Sequence, residues 1–165
     1  MALEFVDFRI RQRDHLLGIA RAMVSRLNIR GVLRLILQAS VDMLAGESGL
    51  IALANADGSG FSFVASYGLP PALVDSFRIL VENVPAVQHV EDFTMPDLAE
   101  RLAKVADSTG LLLRNVVALP MLVDEQLLGM ILIFRSQSLR FSPDDRQILA
   151  SFADYAAIAV HNARL

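Results

Sequence analysis

Two pairs of strand-like segments, each joined by a short polar turn, restrict most strongly what this chain can fold into. In the first pair, Ser48–Ala54 and Phe61–Tyr67 flank a loop that contains an Asp-Gly dipeptide. In the second pair, residues 114–123 and 126–135 flank the dipeptide Asp124-Glu125. Strands joined by turns of this length run antiparallel. We therefore expect a sheet built from hairpins and exclude an all-parallel sheet.

Helical patterns precede the strands. Over residues 1–27 the apolar side chains fall at spacings that place them on one face of a helix, and they are Leu16, Ala20, Met23 and Leu27. Asn28 has the side chain of an N-cap for a second helix, and Gly46 is expected to end that helix.

A long helix is predicted over residues 142–165, after the last strand. Ser142 is expected to cap it, Pro143 occupies the first helical position, and Asp144 and Asp145 follow at the positive end of the helix dipole. Its alanine-rich side permits close approach of another helix. The expected seam of a homodimer is made by apolar residues of both terminal helices: Leu16, Ala20, Met23, Leu27, Phe152, Ala156, Ala159 and Ala163.

The whole chain, residues 1–165, is interpreted as one α+β domain, an α/β sandwich. We expect a central antiparallel sheet of five to six strands, with Val87–Phe93 as one of them. The N- and C-terminal helices should pack on one face, and the middle helices and loops should cover the other. Pro120 predicts an edge strand or a bulge, because proline cannot donate to the ladder. In the second strand, alternation predicts that Phe61, Phe63, Ala65 and Tyr67 share one face.

Composition excludes several classes of function. The 165 residues include no cysteine and three histidines, so disulfides, thiolate zinc sites and cysteine catalysis are excluded, and a histidine-rich metal site is not expected. The net charge of −3, with basic residues spread thinly, does not favour binding to nucleic acid. No apolar run approaches the ~20 residues of a membrane span, and no signal peptide is visible, so we expect a cytoplasmic protein.

Several short motifs resemble those of the GAF family of sensor domains, in the same order along nearly the whole chain after about Leu16. The matching segments are Ala-Ser-Tyr-Gly-Leu-Pro at 65–70, Val-Glu-Asp at 90–92, Val-Val-Ala-Leu-Pro-Met at 116–121, Leu-Gly-Met-Ile-Leu at 128–132, Phe-Ser-Pro-Asp-Asp at 141–145 and the helix end at 157–165. The resemblance implies a non-catalytic regulatory domain that binds a small molecule on the sheet face opposite the terminal helices. It also implies a downstream kinase, cyclase or transcription-regulator domain, whereas the homodimer is expected from the apolar surface that the terminal helices leave uncovered.

The chain departs from some members of that family. Relatives that carry a bilin attach it through cysteine, and reductases of this fold use cysteine for catalysis. This chain has no cysteine, so neither function is expected. Arg135-Ser136 stands where cyclic-nucleotide-binding relatives have an Asn-Lys pair. The sequence also contains no nucleophile elbow or phosphate-binding glycine loop, so an enzyme is not expected.

The resemblance implies a set of candidate ligand-binding residues, which are Ser62, Ser66, Tyr67, Phe77, His89, Asp92 and Arg114. Each has a simpler interpretation. His89 is a haem ligand or a strand histidine with a structural hydrogen bond, Asp92 holds a ligand or caps the next turn, and Arg114 binds an anion or lies at the surface. Tyr67 and Phe77 are alternatively core residues. If the pocket is filled, the domain is instead a dimerisation or protein-docking module without a small-molecule ligand.

Overall fold

The computed structural model describes the backbone of residues 2–24, 28–84, 93 and 95–164, and the side chains of these residues except 2–7 and 20–24. Four α-helices, four strands and one 3₁₀ segment follow one another in these ranges. In chain order they are α1 (Ala2–Val24), α2 (Ile29–Met43), β1 (Ser48–Ala54), β2 (Phe61–Tyr67), the 3₁₀ segment (Pro71–Val81), α3 (Leu98–Thr109), β3 (Asn115–Val123), β4 (Gln126–Arg135) and α4 (Pro143–Ala163).

The strands form one antiparallel sheet in the order β2-β1-β4-β3. This confirms the hairpin-built sheet, but the described part of the chain contributes four strands and not the expected five to six. The difference arises at the expected strand Val87–Phe93: residues 87–92 lie outside the described ranges, and Phe93 is not in a strand. Pro120 lies in β3, an edge strand of these four, directly before a register shift at Met121/Leu122, as the missing N–H of proline predicts.

Apolar side chains alternate across the two central strands and build a core on each face. Ile51 and Ile133 pack among α2 and α4, and these two helices with α1 are called the terminal layer. Leu50 and Phe134 pack against the 3₁₀ segment and α3, which are called the middle layer. α1 packs against α2, with Ile19 buried in the same core. The expected sandwich is therefore confirmed, with α2 and α4 on one face of the sheet and α1 packed against α2 on that side.

A β-bulge in β2 changes which side chains share a face. The pairing with β1 shifts between Ile51 and Ala52, so that Val64 is inserted into the alternation. Phe61 and Phe63 consequently pack on the middle layer, whereas Ala65 and Tyr67 pack on the terminal layer. The prediction that these four residues share one face was wrong, because regular alternation does not continue through a bulge.

The two long helices α2 and α4 of the terminal layer have well-satisfied ends. The Asn28 side chain accepts from the Gly31 N–H at 2.8 Å, and Ser142 and Asp145 form a reciprocal capping box at the start of α4. α2 ends in a Schellman arrangement, with the Gly46 N–H donating to Val41 O at 2.9 Å. The left-handed position of this motif belongs to Ala45, at φ 51°, and not to Gly46.

Candidate functional site

A concavity lies at the hairpin end of β1 and β2, beside the end of the 3₁₀ segment. It is an open cleft of about 420 Å³. Clefts of this size suit a small molecule. Its lining is mostly polar and consists of Asn55, Ser59, Gly60, Phe61, Ser62, Arg78, Val81, Glu82 and Asn83.

The hairpin wall of the cleft is ordered by its own hydrogen bonds. Ser62 Oγ donates to Asn55 Oδ1 at 2.7 Å, and Asn55 Nδ2 donates to Ser59 Oγ at 3.1 Å. The Ser59 N–H donates to Asp57 Oδ1 at 2.9 Å, which closes an Asx turn. The hydrogen bonds from the Ser59 side chain and backbone lower the pKa of the exposed Asp57 carboxyl. The loop therefore presents hydroxyl and amide groups in fixed positions.

The opposite wall comes from the middle layer. Arg78 and Glu82 are exposed there and provide one positive and one negative charge. Behind this wall, Arg101 of α3 donates from Nη1 to Ile79 O at 2.9 Å and also to Glu82 O. The guanidinium of Arg101 thus holds the end of the 3₁₀ segment against α3.

The structure separates the predicted ligand-binding residues. Ser62 borders the cleft, Phe77 is fully buried in the middle layer, and Ser66 lies opposite Leu50 on the same side of the sheet. Tyr67 packs on the other side, against the terminal layer. Arg114 is exposed at the start of β3, and its N–H donates to Arg135 O at 2.9 Å. His89 and Asp92 lie outside the described residues.

The space between the sheet and the middle layer is packed with apolar side chains. Leu50, Leu132 and Phe134 are fully buried on the sheet side, and Phe77 meets Phe134 edge to face with ring centroids 5.3 Å apart. Among the described residues no buried side-chain nitrogen or oxygen lacks a hydrogen-bond partner. The described side chains on this face are therefore packed against one another as an apolar core.

The predicted dimer residues also fall into different environments. Phe152, Ala156 and Ala159 are buried within the protomer, so their side chains face its own core and not a partner. Leu16 is half-buried against that core, and Ala163 is exposed near the end of α4. The side chains of Ala20, Met23 and Leu27 lie outside the described part. The apolar residues on the outward side of α4 are instead Tyr155 and Ile158, 37% and 46% exposed.

Sequence reasoning missed the structural importance of Arg135, at the end of β4. The residue is only 5% exposed, and its guanidinium lies 4.0 Å from the centroid of the Phe141 ring. Nε donates to Leu44 O at 3.1 Å, and Nη2 donates to Leu44 O and, at 3.3 Å, to Asp145 Oδ2. The only available signal was a cation directly after a run of apolar strand residues.

Two other classes of site find no support within the described ranges. No group of three or more His, Asp or Glu side chains is placed there to hold a metal ion. None of the helices in the described residues combines the length and the apolar character needed to cross a membrane.

Comparison with known families decides the assignment, because the sequence pattern of the GAF domain matches residues 28–162. The chain belongs to the GAF domain family. The match begins at the N-cap of α2, so α1 precedes the matched residues. Comparison with curated proteins found no significant match.

Solved structures share this fold at low sequence identity. The GAF domain of a protein named as a sensor histidine kinase from Pseudomonas syringae pv. tomato superposes with a TM-score of 0.66 at 19% identity, covering 99% of this chain and 96% of that one. A phycoerythrobilin-bound GAF domain from a cyanobacterial phytochrome gives 0.64 at 15%, covering 93% and 96%. Residues 122 to 287 of a methyl-accepting chemotaxis protein give 0.59 at 21%, covering 88% and 96%.

Proposed function

We propose that this GAF domain is a non-catalytic regulatory module that binds a small polar molecule in the cleft between the β1–β2 hairpin and the end of the 3₁₀ segment. The cleft carries the proposal, because it combines sufficient volume with converging hydrogen-bonding groups. Phe61 supplies an apolar surface, while Ser62 and Arg78 supply a hydroxyl and a cation. Binding would act on the middle layer, since one wall of the cleft belongs to it.

The output side of this proposal is the terminal layer. The module would pair with a second copy through the outward side of α4, where Tyr155 and Ile158 are exposed. A ligand can shift the packing of such helices only by its different affinity for the two arrangements. The regulated partner would be a kinase or another signalling domain, as the names of the structurally similar proteins suggest.

Native mass spectrometry of the freshly purified chain, followed by a thermal-shift screen with nucleotides, amino acids, inorganic anions and haem, tests the ligand. A compound present at 100 times its dissociation constant should raise the unfolding free energy by about 2.7 kcal/mol. Arg78→Ala should weaken binding of an active compound at least about tenfold, since it removes a charged partner. Arg146→Ala, which removes an exposed cation at the start of α4, is the matched control and should leave binding unchanged.

A second function, dimerisation or protein docking without a small molecule, is favoured by the apolar filling of the middle layer. The absence of any retained molecule, together with no thermal shift from the screen, would support it over the ligand-binding proposal. The dimer is tested separately by sedimentation. Ile158→Arg should dissociate it, whereas Leu112→Arg, at another exposed apolar residue outside α4, should leave it intact.

A further inference from the structure

Arg135 is the one buried charged side chain among the residues that the structure describes. Burial of a charge is costly unless hydrogen bonds and opposite charge compensate it. Five hydrogen bonds compensate the buried charge of Arg135. Nε donates to Leu44 O, Nη1 donates to Leu139 O and Arg140 O, and Nη2 donates to Leu44 O and Asp145 Oδ2. This number equals the five N–H groups of a guanidinium, so its donors are fully used.

The acceptors belong to separate elements that converge at this point. Leu44 O is a terminal carbonyl of α2, at the negative end of its dipole, where a cation is favourable. Asp145 belongs to the first turn of α4 and also forms the capping box with Ser142. Leu139 O and Arg140 O lie in the loop that leads into α4. One rigid, planar group therefore fixes the end of α2 relative to the start of α4.

We infer that Arg135 is a positioning residue that couples the first turn of α4 to the last turn of α2. A change in the order or direction of α4 would reach α2 through the guanidinium and Leu44 O. Arg135 would also connect both helices to the middle layer, since the neighbouring Phe134 contacts Phe77. The inference deepens the relay part of the proposed function, but it needs no ligand.

Two substitutions separate this coupling from ordinary helix capping. Ser142→Ala and Asp145→Ala both break the capping box, but only Asp145→Ala removes a partner of Arg135. Residue-resolved hydrogen exchange of the intact chain is the readout. Both variants should speed exchange in the first turn of α4. Only Asp145→Ala should also speed exchange at the amides of Leu44 and Gly46, by about threefold or more.

Arg135→Lys completes the test, because lysine keeps the charge but lacks the planar fork that joins the two helices. In that background, Asp145→Ala should no longer change exchange in α2. The inference is overturned if Asp145→Ala affects α4 alone, if Ser142→Ala reaches α2 equally, or if Asp145→Ala still speeds exchange in α2 in the Arg135→Lys background.

The test remains decisive if the Arg135→Lys variant fails to fold, since the comparison of Ser142→Ala with Asp145→Ala then decides alone. Both of these variants keep Arg135 and remove one hydrogen bond of the capping box, but only Asp145→Ala also removes the carboxylate partner of Arg135. A failed ligand screen would leave the exchange result unaffected, so the ligand proposal and the coupling fail separately.

Discussion

The two layers that cover the sheet each bury an apolar core but are constructed differently. In the terminal layer, α2 and α4 have side-chain caps, and the buried Arg135 joins them. In the middle layer, the 3₁₀ segment runs for 11 residues and has no side-chain cap hydrogen bond at its start. Runs of 3₁₀ helix beyond three to four residues are uncommon, because their hydrogen-bond geometry is poor. α3 likewise begins without a side-chain cap, at Asp97 with a φ of 51°.

This difference indicates that the two layers differ in how readily they open. A layer with weak local structure depends on its contacts with the sheet and opens at lower free energy than a layer of capped helices. The middle layer also forms one wall of the cleft, so a bound molecule would contact the more adaptable side of the domain. The terminal layer would then behave as the stiffer element that carries a change onward. Matched substitutions in the two layers test this difference.

Removing one buried phenylalanine from each layer should give the largest effects and should distinguish the layers. Phe152 and Phe77 are 1% and 0% exposed. Phe152→Ala should lower the free energy of global unfolding by about 4 kcal/mol, through lost burial and a cavity. Phe77→Ala should lower the free energy of global unfolding by at least about 1 kcal/mol less than Phe152→Ala does, because the middle layer can open locally. Urea denaturation measures the loss of global stability, and hydrogen exchange of the α3 amides measures local opening of the middle layer.

The contrast between the layers fails if the two phenylalanine variants lose the same global stability and α3 exchanges only by global unfolding. Phe77→Leu and Phe152→Leu serve as milder controls of the same type. They keep apolar volume, so the order of the two effects should be preserved while both become smaller.

Arg135→Met tests the connection between α2 and α4 in the terminal layer. It should lower the free energy of unfolding by about 3 kcal/mol, because it leaves buried carbonyl groups without donors. Arg146→Met removes an exposed cation from the start of α4 and should change stability by less than about 0.5 kcal/mol. Equal effects of the two substitutions in urea denaturation would show that burial of Arg135 contributes nothing to this layer.

At the end of α2, substitutions at the neighbouring residues Ala45 and Gly46 should change the stability of the domain in opposite directions. Ala45→Gly should raise the unfolding free energy by about 1 kcal/mol, since glycine adopts the left-handed conformation without strain. Gly46→Ala should lower it by about 1.5 kcal/mol, because a Cβ there would lie 2.7 Å from Ile133 Cγ2 and 3.2 Å from Phe134 O. A shift of the melting temperature in the same direction for both variants would contradict the assignment of the left-handed position to Ala45.

Local chemistry in the sequence was sufficient to predict much of the terminal layer. The N-cap at Asn28, the start of α4 at Ser142 and the edge position of Pro120 among the four described strands each follow from one side chain and its backbone requirement. Packing of the terminal helices on one sheet face followed from the hairpin order and was confirmed. The two helix caps depend on neighbours within a few residues, which a sequence pattern records directly.

The remaining features depend on contacts between distant parts of the chain. The bulge in β2 leaves no signature in an alternating run of Phe, Ser, Val and Tyr, so Tyr67 was assigned to the wrong face. Arg135 contacts Leu44, which lies 91 residues away, and no local pattern distinguishes it from an exposed arginine. The cleft is likewise formed by a hairpin and a 3₁₀ end that meet only in three dimensions, so Ser62 was predicted but Arg78 was not.

The smallest expected effect concerns Asp57 in the hairpin that borders the cleft. Hydrogen bonds from Ser59 lower the pKa of this carboxyl below its ordinary value of 3.8. A carboxyl whose pKa is lower in the folded state stabilises the fold above its unfolded pKa and loses that contribution as the pH falls through the folded value. Asp57→Asn should therefore be slightly less stable than the parent at pH 7, and the difference should shrink below about pH 4.

Urea denaturation at both pH values measures this difference, with Asp107→Asn on α3 as the exposed control. A difference that grows as the pH falls would mean that Asp57 does not order the hairpin wall, and would remove one support for a preformed cleft beside the adaptable layer.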